Sequence, residues 1–364
     1  MRPLPIVLLI CLFWMSGPAL SATVAEADSG AAVILSYHRI GEDSYPDLNT
    51  QTEQFEAHIA ELSSPAYHIL PLGEIVKAVK AGEKLPPRSI AITFEGGYRS
   101  ILDRAVPLLL AKNIPFTVFY AADLADGKSP LYLNWNDLAA LKKNPLITLG
   151  IHPAAYTRLA GAPQEEILRQ INRARSAHQE HFGAQPALFS YPFGEYSLAY
   201  RNIIEAQQFE AAFGQQSGAA YSGSDLYALP RFSITESYGD IERLQTIASS
   251  LPLPTFDINP ENPYLTENDI GAIGFSVPEG LKDSLSELSC FISQRKNITQ
   301  EIIGTRVELR SPDPFTEERT RVNCTMPGPE GEDGMPRWRW FGMLLINPAG
   351  ADAADASLQQ DEPQ

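Results

Sequence analysis

The stretch Ser89-Ile90-Ala91-Ile92-Thr93-Phe94-Glu95-Gly96-Gly97 decides how the rest of the chain is read. Its first six residues are a short, largely apolar run with β-branched side chains, the pattern of a buried strand. A helical stretch carrying Ile101, Val106, Leu109 and Leu110 follows it. The same strand-then-helix unit recurs on both sides. Upstream, Val33-Ile34-Leu35-Ser36-Tyr37 precedes a helix with Thr52 as its expected N-cap and Phe55, Ile59 and Leu62 at helical spacing. Downstream, Phe116-Thr117-Val118-Phe119-Tyr120 and Leu146-Ile147-Thr148-Leu149-Gly150 read as strands. A long helix near 164–182 follows, with Ile167, Ile171 and Ala174 on one face. Ala187-Leu188-Phe189 and Ala211-Ala212-Phe213 are shorter strands around a helix near 196–207. Such alternation predicts an α/β fold with a parallel sheet, and about seven units predict a (β/α) barrel over 31–250. Chemistry in such folds gathers at the C-terminal ends of the strands, which directs attention to the residues after Tyr37, Phe94, Gly150 and Phe189.

Beyond residue 250 the pattern changes. A Pro- and Asn-rich stretch, 251–263, reads as a linker. Short alternating runs at 272–277, 288–293, 305–310, 321–325 and 337–346 predict a small antiparallel β-sandwich over 264–348. Trp338 and Trp340 stand two apart, on one side of an extended strand, and read as half of its core or as a sugar-stacking surface. The tail, 349–364, is Ala, Gln and acid, and reads as disordered.

The chain has 364 residues, 44% of them hydrophobic, with 28 Lys+Arg against 44 Asp+Glu and a net charge of −16. That much apolar content excludes a disordered chain. The acidity and the lack of any basic cluster argue against partners bound through phosphates, nucleic acid first among them. At the N-terminus Arg2, an apolar run at 6–15 and the small residues up to Ala22 have the form of a secretory signal peptide, 1–22. Ten apolar residues are too few to span a bilayer, so no membrane span is expected, and the chain is read as periplasmic or secreted. In an oxidising compartment the two remaining cysteines, Cys290 and Cys324, are expected to pair.

Four segments fall at the expected strand ends: Tyr37-His38-Arg39-Ile40, Thr93-Phe94-Glu95-Gly96-Gly97, Ile151-His152-Pro153-Ala154-Ala155-Tyr156 and Tyr191-Pro192-Phe193-Gly194-Glu195-Tyr196. With Trp135-Asn136-Asp137-Leu138 and Leu229-Pro230-Arg231-Phe232, their order and spacing resemble the polysaccharide deacetylases of carbohydrate esterase family four, the NodB-homology domain, over roughly 31–245. The resemblance implies a distorted (β/α) barrel that removes acetyl groups from N-acetylhexosamine units. In that family a T-F-D-D-G segment supplies a general base and a metal ligand, and H-x-x-x-H supplies two imidazole ligands for a divalent ion that activates water.

The pattern departs from the family where the chemistry lies. Glu95 stands at the base position, Gly96 replaces the metal-binding Asp, His152 matches the first metal histidine, and Tyr156 replaces the second. A phenol with a pKa near 10 is a poor ligand for zinc at neutral pH. One reading is therefore an exported protein that binds an N-acetylhexosamine polysaccharide, or its partly deacetylated form, without hydrolysing it and without a metal. The chain's acidity suits the cationic amines of the second ligand. A second reading is an active deacetylase with a rewired zinc site of His38, Glu95 and His152, with Glu195 as the replacement base. A third is an envelope scaffold. Tyr37 is read as a substrate-binding residue, and Tyr191-Pro192-Phe193-Gly194 as a groove wall that stacks on sugar rings or as a segment that only turns the chain. Arg231 is read as a group that orients a substrate carboxylate, or as a surface arginine. His58, His68, His178 and His181 have no partner pattern and are expected in solvent.

Overall fold

The computed structural model describes residues 23–266, 272–331, 334 and 336–348. The expected signal peptide, 1–22, and the expected disordered tail, 349–364, lie outside the described residues. Among the described residues no helix is long and apolar enough to cross a membrane.

The first unit is an eight-stranded parallel sheet curled into a half-barrel. Its strands run, side by side, Phe232–Ser233, Ala32–Tyr37, Ser89–Phe94, Phe116–Tyr120, Ile147–Ile151, Leu188–Ser190 and Ala211–Phe213, with His68–Ile69 added beside Ser89–Phe94. Parallel bonding with helical crossovers covers both faces, and Ala32–Tyr37 and Ser89–Phe94 are buried at every residue. The two faces carry different side chains because residues alternate along a strand. Val33, Leu35 and Tyr37, Ile90, Ile92 and Phe94, and Phe189 and Tyr191 join the large cluster under the helices, with Phe55, Ile59 and Leu62 of the Thr52–Leu62 helix. Ala32, Ile34, Ala91, Phe119, Leu188 and Phe213 form a second cluster on the concave face. The polar residues of the strand ends continue this concave parity: His38 follows Ile34 and Ser36, Glu95 follows Ala91 and Thr93, and Ser190 follows Leu188.

Two-residue strands such as Phe232–Ser233 are too short to leave a periodic signal and were not expected. The Thr52–Leu62 helix takes Gln51 as its N-cap, one residue before the expected position.

The second unit is a sandwich of two four-stranded sheets. One orders Leu251–Pro252, Trp338–Ile346, Arg319–Pro327 and Ser289–Ile292, and the other Phe256–Asn259, Ala272–Ser276, Arg306–Arg310 and Thr299–Ile303. Ile273, Phe275, Val307 and Leu309 meet Val322, Met326, Met343 and Leu345 between them. Cys290 and Cys324 are bonded, directly opposite one another on neighbouring strands. The bridge staples one sheet rather than joining the two.

Three expectations are corrected here. The stretch 251–263 is not a linker: Leu251 and Pro252 pair with Arg339 and Trp340, and Phe256–Asn259 is an edge strand of the second sheet. Trp340 is not core of the sandwich, because its ring packs edge-on against Phe232 of the barrel at 5.1 Å, while Trp338 is exposed. Of the four histidines expected in solvent, two are buried: His58 contacts the Tyr37 hydroxyl at 3.1 Å and His178 that of Tyr120 at 2.9 Å.

The two units touch backbone to backbone. A side chain at Gly342 would meet the carbonyl oxygen of Ser217 at 2.4 Å, so only glycine admits this approach. Arg339 ties the short Val24–Ser29 helix to the same face through Asp28, at 2.6 and 2.7 Å.

Candidate functional site

The concave strand ends bring Glu95, His152, Ser190 and Arg231 into one buried network. Arg231 is the largest side chain wholly out of solvent. Its Nη1 donates to Glu95 Oε1, its Nη2 to Ser190 Oγ at 2.8 Å and its Nε to the Gly214 carbonyl at 2.8 Å. The Phe119 and Phe213 rings flank it at 5.5 and 5.7 Å. Ser190 Oγ in turn donates to the Glu95 carboxylate at 2.9–3.0 Å. Burial by itself raises the Glu95 carboxyl, but the Arg231 charge, His152 and the Arg231 hydrogen bond outweigh it and hold it below the usual carboxylate value. A carboxylate ionised in this way and closed off from solvent is a weak base.

His152 is held neutral, chiefly by desolvation. Its neighbours assign the tautomer: Nδ1 donates to the Ser190 carbonyl at 2.8 Å, and Nε2 accepts the Gly96 backbone N–H at 3.2 Å. Nε2 therefore has no proton to offer Glu95 Oε2, 3.5 Å away, and the pair is a close contact rather than a salt bridge. Gly96 has φ +77, and a Cβ there would lie 2.7 Å from the Tyr98 ring. The residue at the lost ligand position is thus fixed as glycine by its backbone and by Tyr98, which stacks on Tyr132 at 5.3 Å.

Tyr156, at the other lost position, sets its ring edge-on to His152 at 4.6 Å. Its hydroxyl is buried without a hydrogen-bond partner, and desolvation first, then the Glu95 charge, pushes its pKa far up. It stays a neutral phenol. His38 sits beside this group with Nε2 3.3 Å from the Gln215 amide and Nδ1 without a partner. Desolvation lowers its pKa to about 4, with Glu95 opposing and Arg231 and His152 adding.

These contacts correct the expectation of a rewired zinc site. A divalent ion needs lone pairs that converge and are free. Here Glu95 is committed to Arg231 and Ser190, His152 Nε2 faces an N–H, Gly96 brings no side chain and Tyr156 remains protonated. No three His, Cys, Asp or Glu groups among the described residues are placed to share a metal ion. The residues present do not fit the family's ion.

The remaining expected site residues divide. Tyr37 is core, edge-on to Phe55 at 5.3 Å, and Tyr191 is core, its hydroxyl donating to the Tyr227 carbonyl at 2.9 Å. Both belong to the convex parity of their strands, so neither faces a groove. Pro192 is buried with them. Phe193 is half-buried at the mouth, with φ +59 and its ring 5.3 Å from that of Tyr156. Arg231 is neither a surface group nor one free to orient a substrate, since all three of its nitrogens are engaged within the protein.

Glu195 lies at the rim. Desolvation raises its pKa, with Arg319, Arg158 and Arg321 opposing. Arg319 Nε stands 3.1 Å and Arg158 Nε 3.6 Å from its oxygens. Its place between two guanidiniums makes it a charge partner rather than a replacement base. Arg158, Ser190, Gln215, Arg319 and Arg321 were missed as site residues. Ser190 was within reach, because the period-two parity that excludes Tyr191 selects its neighbour. Arg319 and Arg321 were not, since they come from the other unit.

Comparison with known proteins gives one family. Residues 82–212 match the family model described as polysaccharide deacetylase. A poly-β-1,6-N-acetyl-D-glucosamine N-deacetylase of Staphylococcus aureus is 22% identical over 236 residues, covering 57% of this chain and 79% of its own. Among solved structures, the deacetylase PplD of Streptococcus pyogenes superposes with a TM-score of 0.55 at 17% identity, over 60% of this chain and 98% of its own. IcaB from Ammonifex degensii gives 0.55 at 20% identity, over 60% and 97%. These structural likenesses carry the fold.

Proposed function

The barrel is a polysaccharide deacetylase (NodB-type) domain, and from that premise we propose that the chain is an exported protein that binds N-acetylated glycan without hydrolysing it. The single observation that carries this reading is the closed state of the catalytic position. Glu95 is spent on Arg231 and Ser190, and the His152 lone pair is spent on the Gly96 N–H. Deacetylation of an amide needs an activated water and a polarised carbonyl. The residues here supply neither an ion to do both nor a free base. What they supply is a pair of buried hydrogen-bonding atoms without partners, the His38 Nδ1 and the Tyr156 hydroxyl, with half-buried Phe193 packed beside Tyr156. Such a mixture of flat apolar rings and unfilled hydrogen-bonding groups suits a sugar. The name of the Staphylococcus aureus relative supports poly-β-1,6-N-acetylglucosamine as the first ligand to try. The basic, apolar N-terminus supports export.

Incubating the purified chain with acetylated β-1,6-linked N-acetylglucosamine oligomers and added zinc tests this. Calorimetric binding without acetate release is expected. Acetate release together with one equivalent of bound metal, both lost in His152→Ala, would overturn it.

A further inference from the structure

We propose that the rim of the barrel mouth holds the anionic substituent of an acidic glycan, a carboxylate or phosphate borne on the sugar chain, between guanidinium groups supplied jointly by the two units. This rests on the glycan reading above and names the charge of its ligand.

Arg319 and Arg321 occupy alternate positions of the Arg319–Pro327 strand, so both leave the sandwich on its barrel side while Thr320 and Val322 are buried on the other. Each reaches a loop that follows a barrel strand. Arg319 Nη2 donates to the Phe193 carbonyl at 2.7 Å and Arg321 Nη1 to the Gln215 carbonyl at 2.9 Å. Gln215 is the residue whose side chain meets His38. From the barrel, Arg158 lies over the Phe193 ring at 5.3 Å, and Arg243, anchored to the Tyr238 carbonyl at 2.8 Å, opposes the charge of Arg321.

The charges do not balance. Glu195 stands between Arg319 and Arg158, and Glu318 pairs with Arg158. Among the described residues no carboxylate lies within ion-pair distance of Arg321 or Arg243, although Asp240, which caps the helix that begins at Ile241, acts on Arg243 by its charge and Glu195 acts on Arg321. Burial and then the neighbouring Arg319 pull Arg321 down to about 10, and desolvation lowers Arg243 and Arg319 in the same direction. Arg319, Arg321 and Arg243 are half-buried with their charges opposing one another, Arg158 stands exposed beside Arg319, and an anion accepting from their free N–H groups would offset that repulsion. The chain as a whole is acidic at −16, so the rim inverts the sign of its surroundings. An anionic ligand on this proposal stands against the cationic, partly deacetylated one that net charge suggests.

The test is calorimetry on the full chain at low salt with two pairs of probes. One pair is the neutral β-1,4 tetramer of N-acetylglucosamine and a hyaluronan tetrasaccharide, in which N-acetylglucosamine alternates with glucuronate. The other is N-acetylglucosamine and its 6-phosphate. The acidic member of at least one pair should bind about tenfold more tightly, with the gap closing as salt is added. Which pair shows the gap identifies carboxylate or phosphate as the source. Arg321→Gln, matched to the parent in its thermal unfolding, should abolish the gap, and Arg321→Lys should restore part of it. Should Arg321→Gln not fold, Arg158→Gln serves in its place. Equal binding within both pairs, or a gap that survives Arg321→Gln and Arg158→Gln alike, overturns the anion site and leaves the glycan reading standing. No binding of any probe overturns the anion site, while the glycan reading is overturned only if the β-1,6-linked oligomers also fail to bind.

Discussion

The floor and the rim of the barrel mouth are both built from arginines and carboxylates, yet they close their charge in opposite ways. On the floor one buried guanidinium meets one buried carboxylate, every nitrogen of Arg231 has an acceptor, and the two neighbouring imidazoles are neutral. At the rim Arg158 and Arg319 share Glu195 and Glu318, Arg243 has only the charge of Asp240, and Arg321 is left with a backbone carbonyl. A balanced set of buried charges is a structural part, whereas an unbalanced one near a recess is a place for something else. The residues at the family's catalytic position here belong to the first kind.

The largest effect should come from unbalancing the floor. Arg231→Met strands an ionised carboxylate in the barrel and should cost about 3–5 kcal/mol, read from urea unfolding. The double variant Arg231→Met, Glu95→Leu should recover much of that loss. A single variant within 1 kcal/mol of the parent would break the comparison.

Next is the disulfide, which staples Ser289–Ile292 to the strand that presents the rim arginines. Closing a loop with a sequence separation of 34 is worth about 4 kcal/mol on the chain-entropy estimate. Cys290→Ser with Cys324→Ser should therefore lower the sandwich transition and leave the barrel's far-ultraviolet signal intact to higher denaturant. Simultaneous loss of both would show that the units do not unfold separately.

The pH dependence sharpens the comparison further. His38 is held neutral, with its pKa down at about 4, so the unfolded chain takes up its proton first as the pH falls. Its contribution, about 3 kcal/mol for a shift of that size, is present above pH ~6.5 and lost between there and pH ~4. Glu95, also lowered, adds a loss of the same sign below the ordinary carboxylate range. Glu195 is raised, so its contribution has the opposite sign and favours the fold as the pH falls through its folded value. Urea midpoints from pH 7 to 4 should fall in the parent and fall less in His38→Asn. A parent profile that is flat would count against the neutral floor.

The smallest effect is expected at the rim. Arg321→Gln should change stability by less than about 1 kcal/mol, because the lost hydrogen bond is offset by relief from Arg319 and Arg243. A large loss would make the rim, like the floor, a piece of the fold.

The sequence was informative wherever a signal is local. The runs around Ile34, Ile92 and Val118 declare strands by composition, and Gly96 and Tyr156 declare a broken ligand set by identity alone. It was less informative where direction or distance matters. Tyr37 and Tyr191 stand at the right strand ends, but their parity turns them under the helices, a reading available from Leu35 and Phe189 two residues earlier. Arg231 finds Glu95 across 136 positions, a contact no window of sequence contains. Leu251–Pro252 is a strand only because Arg339 and Trp340 lie beside it. Arg319 and Arg321 become mouth residues only once the sandwich is docked.

The Arg319–Pro327 strand constrains how the two units change over time. Arg319 and Arg321 reach the barrel's opening while Thr320, Val322, Cys324 and Met326 are buried on the other side, so the two units share a single ruler. A one-residue insertion or deletion before Arg319 would turn the arginines inward and Thr320 and Val322 outward, ruining both at once. Recombination that exchanged the sandwich for another module would spare the barrel's folding while erasing its rim. The appended domain is in this sense not a passenger but half of the doorway.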